Sequence, residues 1–163
     1  MIACVAMRPW LAAAVLLLLG AVTAAVAQPP AAPYLNAAPS PGMARIWFYR
    51  DLNPNETLAM AYIRLNGAIA GVSEAGGAFY RDVAPGQYRI TVDSYVLDPH
   101  NDATVTLAPG TEAYAKVLPL DSFVQGGAAV GGGYKRNTFV VWLYPPEQGR
   151  AGVARSYFTA GGS

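Results

Sequence analysis

Cysteine is all but missing from this 163-residue chain: the single one, Cys4, lies near the start, and histidine also occurs once, as His100. Beyond residue 4 the chain has no thiol to form a disulfide, a thiolate nucleophile, a zinc–thiolate site or an iron–sulfur cluster. One histidine confines imidazole acid–base chemistry to one place. An excess of either charge is lacking too, since eleven Lys and Arg face ten Asp and Glu. Near-neutrality argues against the concentrated positive surface that nucleic-acid phosphates require, and against electrostatic docking on anionic lipid.

What is present begins with a leader. Arg8 supplies a positive start, residues 10–25 are apolar apart from Gly20 and Thr23, and Ala25-Val26-Ala27 fits the small-x-small cleavage rule. This is the layout of a secretory signal peptide over residues 1–27, cut between Ala27 and Gln28, and it predicts a periplasmic or secreted mature protein with no transmembrane segment. The competing reading is an uncleaved N-terminal anchor, because residues 9–27 approach the ~20 apolar residues that cross a bilayer. Gly20 and the alanine-rich end favour cleavage. Cys4 precedes the apolar stretch and so is not the cysteine of a lipoprotein signal; Met7, followed by Arg8 and Pro9, is an alternative start that would remove it. Cleavage leaves about one domain's worth of chain, enough for a core without staples, with acidic and basic residues in balance.

Residues 28–42 carry Pro29, Pro30, Pro33, Pro39 and Pro41 among alanines. The composition predicts an extended tether with little to bury. Proline-rich segments also serve as ligands for aromatic grooves, a reading for which the sequence offers no partner.

From Met43 the pattern changes to short runs rich in β-branched and aromatic residues, punctuated by Gly, Pro, Asn and Asp. Strands are expected over residues 43–50, 59–66, 68–72, 78–83, 87–94, 103–107 and 111–118, with 138–144 as an eighth. In the fifth, Tyr88, Ile90 and Val92 alternate with Gln87, Arg89, Thr91 and Asp93, the period of a half-buried strand. Residues 138–144 are apolar on both faces, as in a central strand covered on each side. Asn66-Gly67 predicts a tight hairpin turn, because both positions tolerate positive φ. Val83-Ala84-Pro85-Gly86-Gln87-Tyr88 partly repeats as Leu107-Ala108-Pro109-Gly110-Thr111-Glu112-Ala113-Tyr114. Each fits a type II turn followed by a tyrosine able to bond back to the turn, as in the tyrosine corner of immunoglobulin-like sandwiches. Residues 147–158 read either as a closing strand around 153–159 or as a short helix, with the strand preferred. Residues 43–163 are thus expected to form one all-β domain, an immunoglobulin-like or transthyretin-like antiparallel β-sandwich of about seven or eight strands.

Ala44-Arg45-Ile46-Trp47-Phe48-Tyr49-Arg50, Leu65-Asn66-Gly67 with Gly71-Val72, Phe79-Tyr80, and Val83-Ala84-Pro85-Gly86-Gln87-Tyr88 resemble an exported bacterial family, the domain of unknown function twenty-eight forty-six. The likeness spans residues 43–118, and its turn and strand signals are shared in part with PEGA and transthyretin-like sandwiches. It implies a β-sandwich, export and a membrane-associated setting, with no established activity or site. Many members resemble lipoproteins, a setting that the missing lipobox cysteine does not support here.

The search for chemistry yields motifs whose plain reading is structural. His100 lies in Asp98-Pro99-His100-Asn101-Asp102, where alternate oxygen and nitrogen atoms could ligate a metal ion, but the downstream Glu and turn Gly of an EF-hand are missing, so a solvated hairpin tip is expected. Asp51-Leu52-Asn53-Pro54-Asn55-Glu56 is a loop on the same reasoning. Ser73 lacks the glycine pattern of a nucleophile elbow. The glycines between Gly126 and Gly133 are followed by no Lys-Ser/Thr and read as a loop. None of the ten acidic residues is distinguished as half of a glycosidase pair. The ten tyrosines, with Trp47 and Trp142, are the remaining possibility: exposed rings stack on sugars or anchor partners, although most are expected in or around the core. On the first strand Trp47 and Tyr49 point opposite to Ile46 and Phe48, so one pair faces the core and the other needs cover.

The expectation is therefore a non-catalytic exported domain with a binding or structural role at the bacterial cell envelope, whose partner is an unidentified envelope protein or polysaccharide. No catalytic, cofactor-binding or metal-ligating residue is assigned, and no cofactor. The alternatives are a carbohydrate- or peptidoglycan-binding module, an enzyme of unrecognised type, and a small outer-membrane barrel.

Overall fold

The period-two runs become two packed sheets in a computed structural model, which describes residues 33–94, 102–125 and 134–160. The expected leader over residues 1–27, residues 28–32, His100 and the 126–133 glycines lie outside the described residues. Among the described residues nine strands run in chain order as β1 (Ala44–Tyr49), β2 (Ala61–Leu65), β3 (Ala68–Ser73), β4 (Gly77–Val83), β5 (Gly86–Val92), β6 (Asp102–Leu107), β7 (Glu112–Gln125), β8 (Tyr134–Tyr144) and β9 (Tyr157–Phe158). Sheet A has the order β8-β7-β1-β4-β9 and sheet B the order β3-β2-β5-β6. The all-β sandwich is thus present, but it is not purely antiparallel, since β1 pairs parallel to β7 and β4 parallel to β9. Side-chain alternation is the same for either strand direction, so periodicity carries no signal of this.

The core between the sheets is filled by the predicted alternation. Ile46 and Phe48 from β1, Ile63 from β2, Phe79 from β4, Ile90 and Val92 from β5, and Phe139 and Val141 from β8 all point into it. Asn66 at φ 49° and Gly67 at φ 88° close the β2–β3 hairpin as expected. The repeated Pro-Gly corners part company. Tyr88 Oη donates to the Ala84 carbonyl at 2.8 Å, making the expected corner bond, but Gly86 at φ 153° is far from the type II value. Gly110 at φ 74° does suit a type II turn, yet Tyr114 donates instead to Glu112, and it is Thr111 Oγ1 that bonds back to the Ala108 carbonyl at 2.7 Å.

Two strand assignments change. The strand expected at 138–144 is an edge of sheet A rather than its centre, and pairs only with β7. Its apolar character has another cause: Phe139 and Val141 fill the inter-sheet core and Val140 is buried on the opposite face, while Trp142 and Leu143 are exposed. The central strand is β1, all six residues of which are buried. The strand preferred around 153–159 is mostly helix: α1 runs Pro146–Arg155, and pairing is confined to Tyr157 and Phe158. Pro146 at the first helical turn gives up no intrahelical N–H, Glu147 suits the positive end and Arg155 the negative end.

Residues 33–42, expected to be part of a tether, are anchored to the fold at Tyr34 and Leu35, although 36–38 and 40–42 stay exposed. Pro33–Asn36 form a 3₁₀ turn, and Leu35 is buried. Composition misses this because two side chains and a clasp, not a run of apolar residues, fix the segment.

Candidate functional site

The pair on β1 that needed cover receives it. Trp47 and Tyr49, on the outer face of sheet A, form a second core with Ala78 and Tyr114, and Leu35 from the 3₁₀ turn and Val153 from α1 close it. α1 can approach because Gly149 and Gly152 face the sheet. A Cβ at Gly149 would fall inside the Tyr114 side chain, and one at Gly152 inside the Tyr49 ring. Trp47 and Tyr49 are therefore packed away and are not a display surface.

Two of the clefts beside α1 bring charged groups and tyrosines together. The first, about 570 Å³, lies between residues 35–39, the start of β7 and the helix, and is lined by Glu112, Tyr114 and Arg150 among others. Glu112 is its hub, accepting from Tyr114 Oη at 2.7 Å, from Arg150 at 2.8 Å and from Trp47 Nε1 at 3.5 Å. Burial, aided by the Glu112 carboxylate, pushes the Tyr114 hydroxyl up to about 12, so it stays a donor at neutral pH. A carboxylate engaged by three donors ties strand, sheet face and helix together.

The second cleft, about 270 Å³, is lined by Tyr49, Lys116, Tyr144, Gln148, Ala151 and Arg155. Lys116 reaches Asp51 at 2.6 Å and lies 5.2 Å from the Tyr144 ring centre and 5.9 Å from that of Tyr49. Burial raises the Tyr49 hydroxyl well above its ordinary range.

A third cleft opens at one end of the sandwich, about 320 Å³, and its walls are mainly apolar: Ala59, Met60, Ala61, Tyr62 and Phe139, with Asp93 and Ser94. Ser94 Oγ accepts from the Phe139 N–H at 3.0 Å, linking the two sheets there. Beneath it Arg50 is only 1 % exposed. Its guanidinium donates to the Ala59 carbonyl at 2.7 Å and to the Thr57 carbonyl, and lies 5.2 Å from the Phe139 ring centre. Its Nε and the Ser73 Oγ are buried with no hydrogen-bond partner. Burial lowers the Arg50 pKa, but a guanidinium remains charged in any case. Arg50 thus pins the loop between β1 and β2 through its carbonyls.

The motifs weighed in the sequence take structural places. In residues 51–56 the Asn53 side chain accepts from the Asn55 N–H at 3.0 Å and donates to Glu56 at 2.9 Å, a self-satisfied turn. Ser73 is buried at the end of β3. Asp102, the described end of the histidine loop, pairs with Arg89 at 2.6 Å. Among the described residues no group of His, Cys, Asp or Glu gathers as a metal centre, and no helix is long and apolar enough to cross a membrane. The Glu112–Tyr114–Arg150 set was not foreseen. The spacing of Glu112 and Tyr114 puts them on one face of β7, but nothing local connects them to Arg150 on the helix. Scanned against protein-family models and searched against curated proteins, the chain matches none.

Proposed function

We propose that this chain is an exported, non-catalytic β-sandwich with a binding or structural role at the bacterial cell envelope. The observation that carries the reading is how the charged groups around sheet A are used. Arg45 with Asp82, Lys116 with Asp51 and Arg150 with Glu112 hold one another at 2.6–2.8 Å: the first pair joins β1 to β4 and holds residues 37–40, the second ties β7 to the loop after β1, and the third fastens α1 to β7. Glu112, Arg150 and Lys116 border clefts, but each has its charge committed to a partner within the fold, whereas a catalytic group is kept poised for a substrate. The leader over residues 1–27 and the resemblance to the exported family support the location. The polysaccharide-binding alternative has to manage without Trp47 and Tyr49, which the second core consumes.

Recovery of the native protein from the exported fraction tests both halves of the proposal. The expected result is an intact mass beginning at Gln28 together with a stoichiometric envelope partner. A retained leader overturns the free exported form, and turnover of an envelope substrate overturns the non-catalytic role.

A further inference from the structure

Residues 33–42 are held in a manner that differs from the rest of the fold. No ladder of backbone bonds ties them to a strand. Two adjacent side chains anchor them: Tyr34 stacks on Phe158 with ring centres 4.4 Å apart and lies 6.1 Å from Trp47, and Leu35 is buried in the second core. Beyond the anchors, Arg45 reads the backbone, donating to the Ala37 carbonyl at 2.5 Å and the Ala38 carbonyl at 3.2 Å. Arg45 is itself fixed. It is 2 % exposed, is gripped by both oxygens of Asp82 at 2.7 and 3.1 Å, and its guanidinium carbon lies 3.8 Å from the Tyr80 ring centre. Asp82 also accepts from the N–H and hydroxyl of Ser40.

We infer that the groove made by Arg45, Trp47, Tyr80, Asp82 and Phe158 is a peptide-recognition site, and that residues 33–42 are its resident occupant. The ligand it takes is a proline-flanked peptide that presents an adjacent aromatic and aliphatic residue on one 3₁₀ turn, as Tyr34 and Leu35 do, and offers the carbonyls that follow the turn to Arg45. The reasoning is that of other aromatic grooves. Proline at the start of the turn fixes φ and lowers the ligand's ordering cost, bonds to main-chain carbonyls supply affinity without reading sequence, and two side-chain contacts supply the selection. A guanidinium already locked by a bidentate carboxylate and an aromatic face needs no rearrangement to accept carbonyls. The proline-rich segment, for which the sequence offered no partner, thus meets aromatic rings of its own chain, and an external peptide must displace it. This inference rests on the binding half of the proposed function and is independent of export.

The test is a fluorescence-anisotropy titration of a labelled peptide of residues 31–42 into the full chain carrying Tyr34→Ala and Leu35→Ala, with wild type in parallel. The expected result is saturable binding to the variant, at least about tenfold tighter than to wild type, whose own segment competes at an effective concentration on the order of millimolar. A control peptide with alanine at the Tyr and Leu positions should lose that binding. The inference is overturned if the variant, with a wild-type circular dichroism spectrum, shows no saturation, or if both peptides bind equally. Should the double variant unfold, Leu35→Ala alone answers the same question. A native partner that co-purifies while the groove stays silent leaves the binding reading standing and removes this one.

Discussion

Gly149 and Gly152 set how closely α1 approaches sheet A. Alanine in a helix interior normally gains about 1 kcal/mol over glycine, so a free helix would be stabilised by either substitution. Here each new Cβ would enter a buried tyrosine, and overpacking of this kind costs roughly 1–3 kcal/mol or more. Gly149→Ala and Gly152→Ala are therefore each expected to lower the urea midpoint by the equivalent of about 1–2 kcal/mol; an unchanged midpoint would show that the helix moves away freely. Asp82 carries the second residue-scale prediction. The Arg45 guanidinium holds its carboxyl at about 2, below the ordinary 3.8, so the folded state binds the proton more weakly than the unfolded chain. The clasp is then fully stabilising above about pH 4 and fades as the pH falls through about 2, a loss on the order of 2 kcal/mol. Asp82→Asn should flatten that part of an acid titration of stability, and an unaltered acid limb would assign the effect to other groups.

Among the elements, α1 matters more than its ten residues suggest, because it closes the second core over Trp47, Tyr49 and Tyr114. A chain ending at Pro145 should bind a hydrophobic dye such as ANS strongly and lose solubility; an unaltered, dye-silent protein would mean that the sheet face tolerates water. The same tyrosines predict an alkaline limit. Their raised folded values mean that the native state holds the phenolic protons more tightly than the unfolded chain, so this stabilisation is complete below about pH 10 and declines as the pH rises through about 12. Tyr114→Phe, which carries no proton to lose, should shift the alkaline unfolding midpoint upward. The strands were legible because each buries one face against the inter-sheet core, and the Asn66-Gly67 turn because its backbone demands particular residues. α1 was legible only as the less favoured of two readings of residues 147–158, since two glycines in ten residues weaken a helix when no partner is visible, and their purpose lies in Tyr49 and Tyr114, far away in sequence. The edge position of β8 was hidden for a related reason, because burial of Val140 looks the same in sequence whatever covers it. The groove escaped notice because its parts include Arg45, Tyr80 and Phe158, joined only by the fold.

At the scale of the whole molecule the described chain forms layers: sheet B, the first core, sheet A, the second core, and a cover assembled from opposite ends of the domain. Tyr34 meets Phe158, its hydroxyl lies 3.5 Å from the Ser156 carbonyl, and Arg81 reaches the Ala160 carbonyl at 3.4 Å. The two ends of the fold therefore leave from the same face, a geometry that tolerates reconnection. A circular permutant that joins residue 160 to residue 33 through a short glycine–serine linker, and opens the chain between Asn66 and Gly67, should fold with a thermal midpoint close to that of the parent. Failure to fold would show that the order of synthesis, and not the final set of contacts, assembles the cover. Such a permutant would also place its new termini at a hairpin tip of sheet B, freeing the crowded face for attachment to a surface or a reporter without a tail pulling on Tyr34.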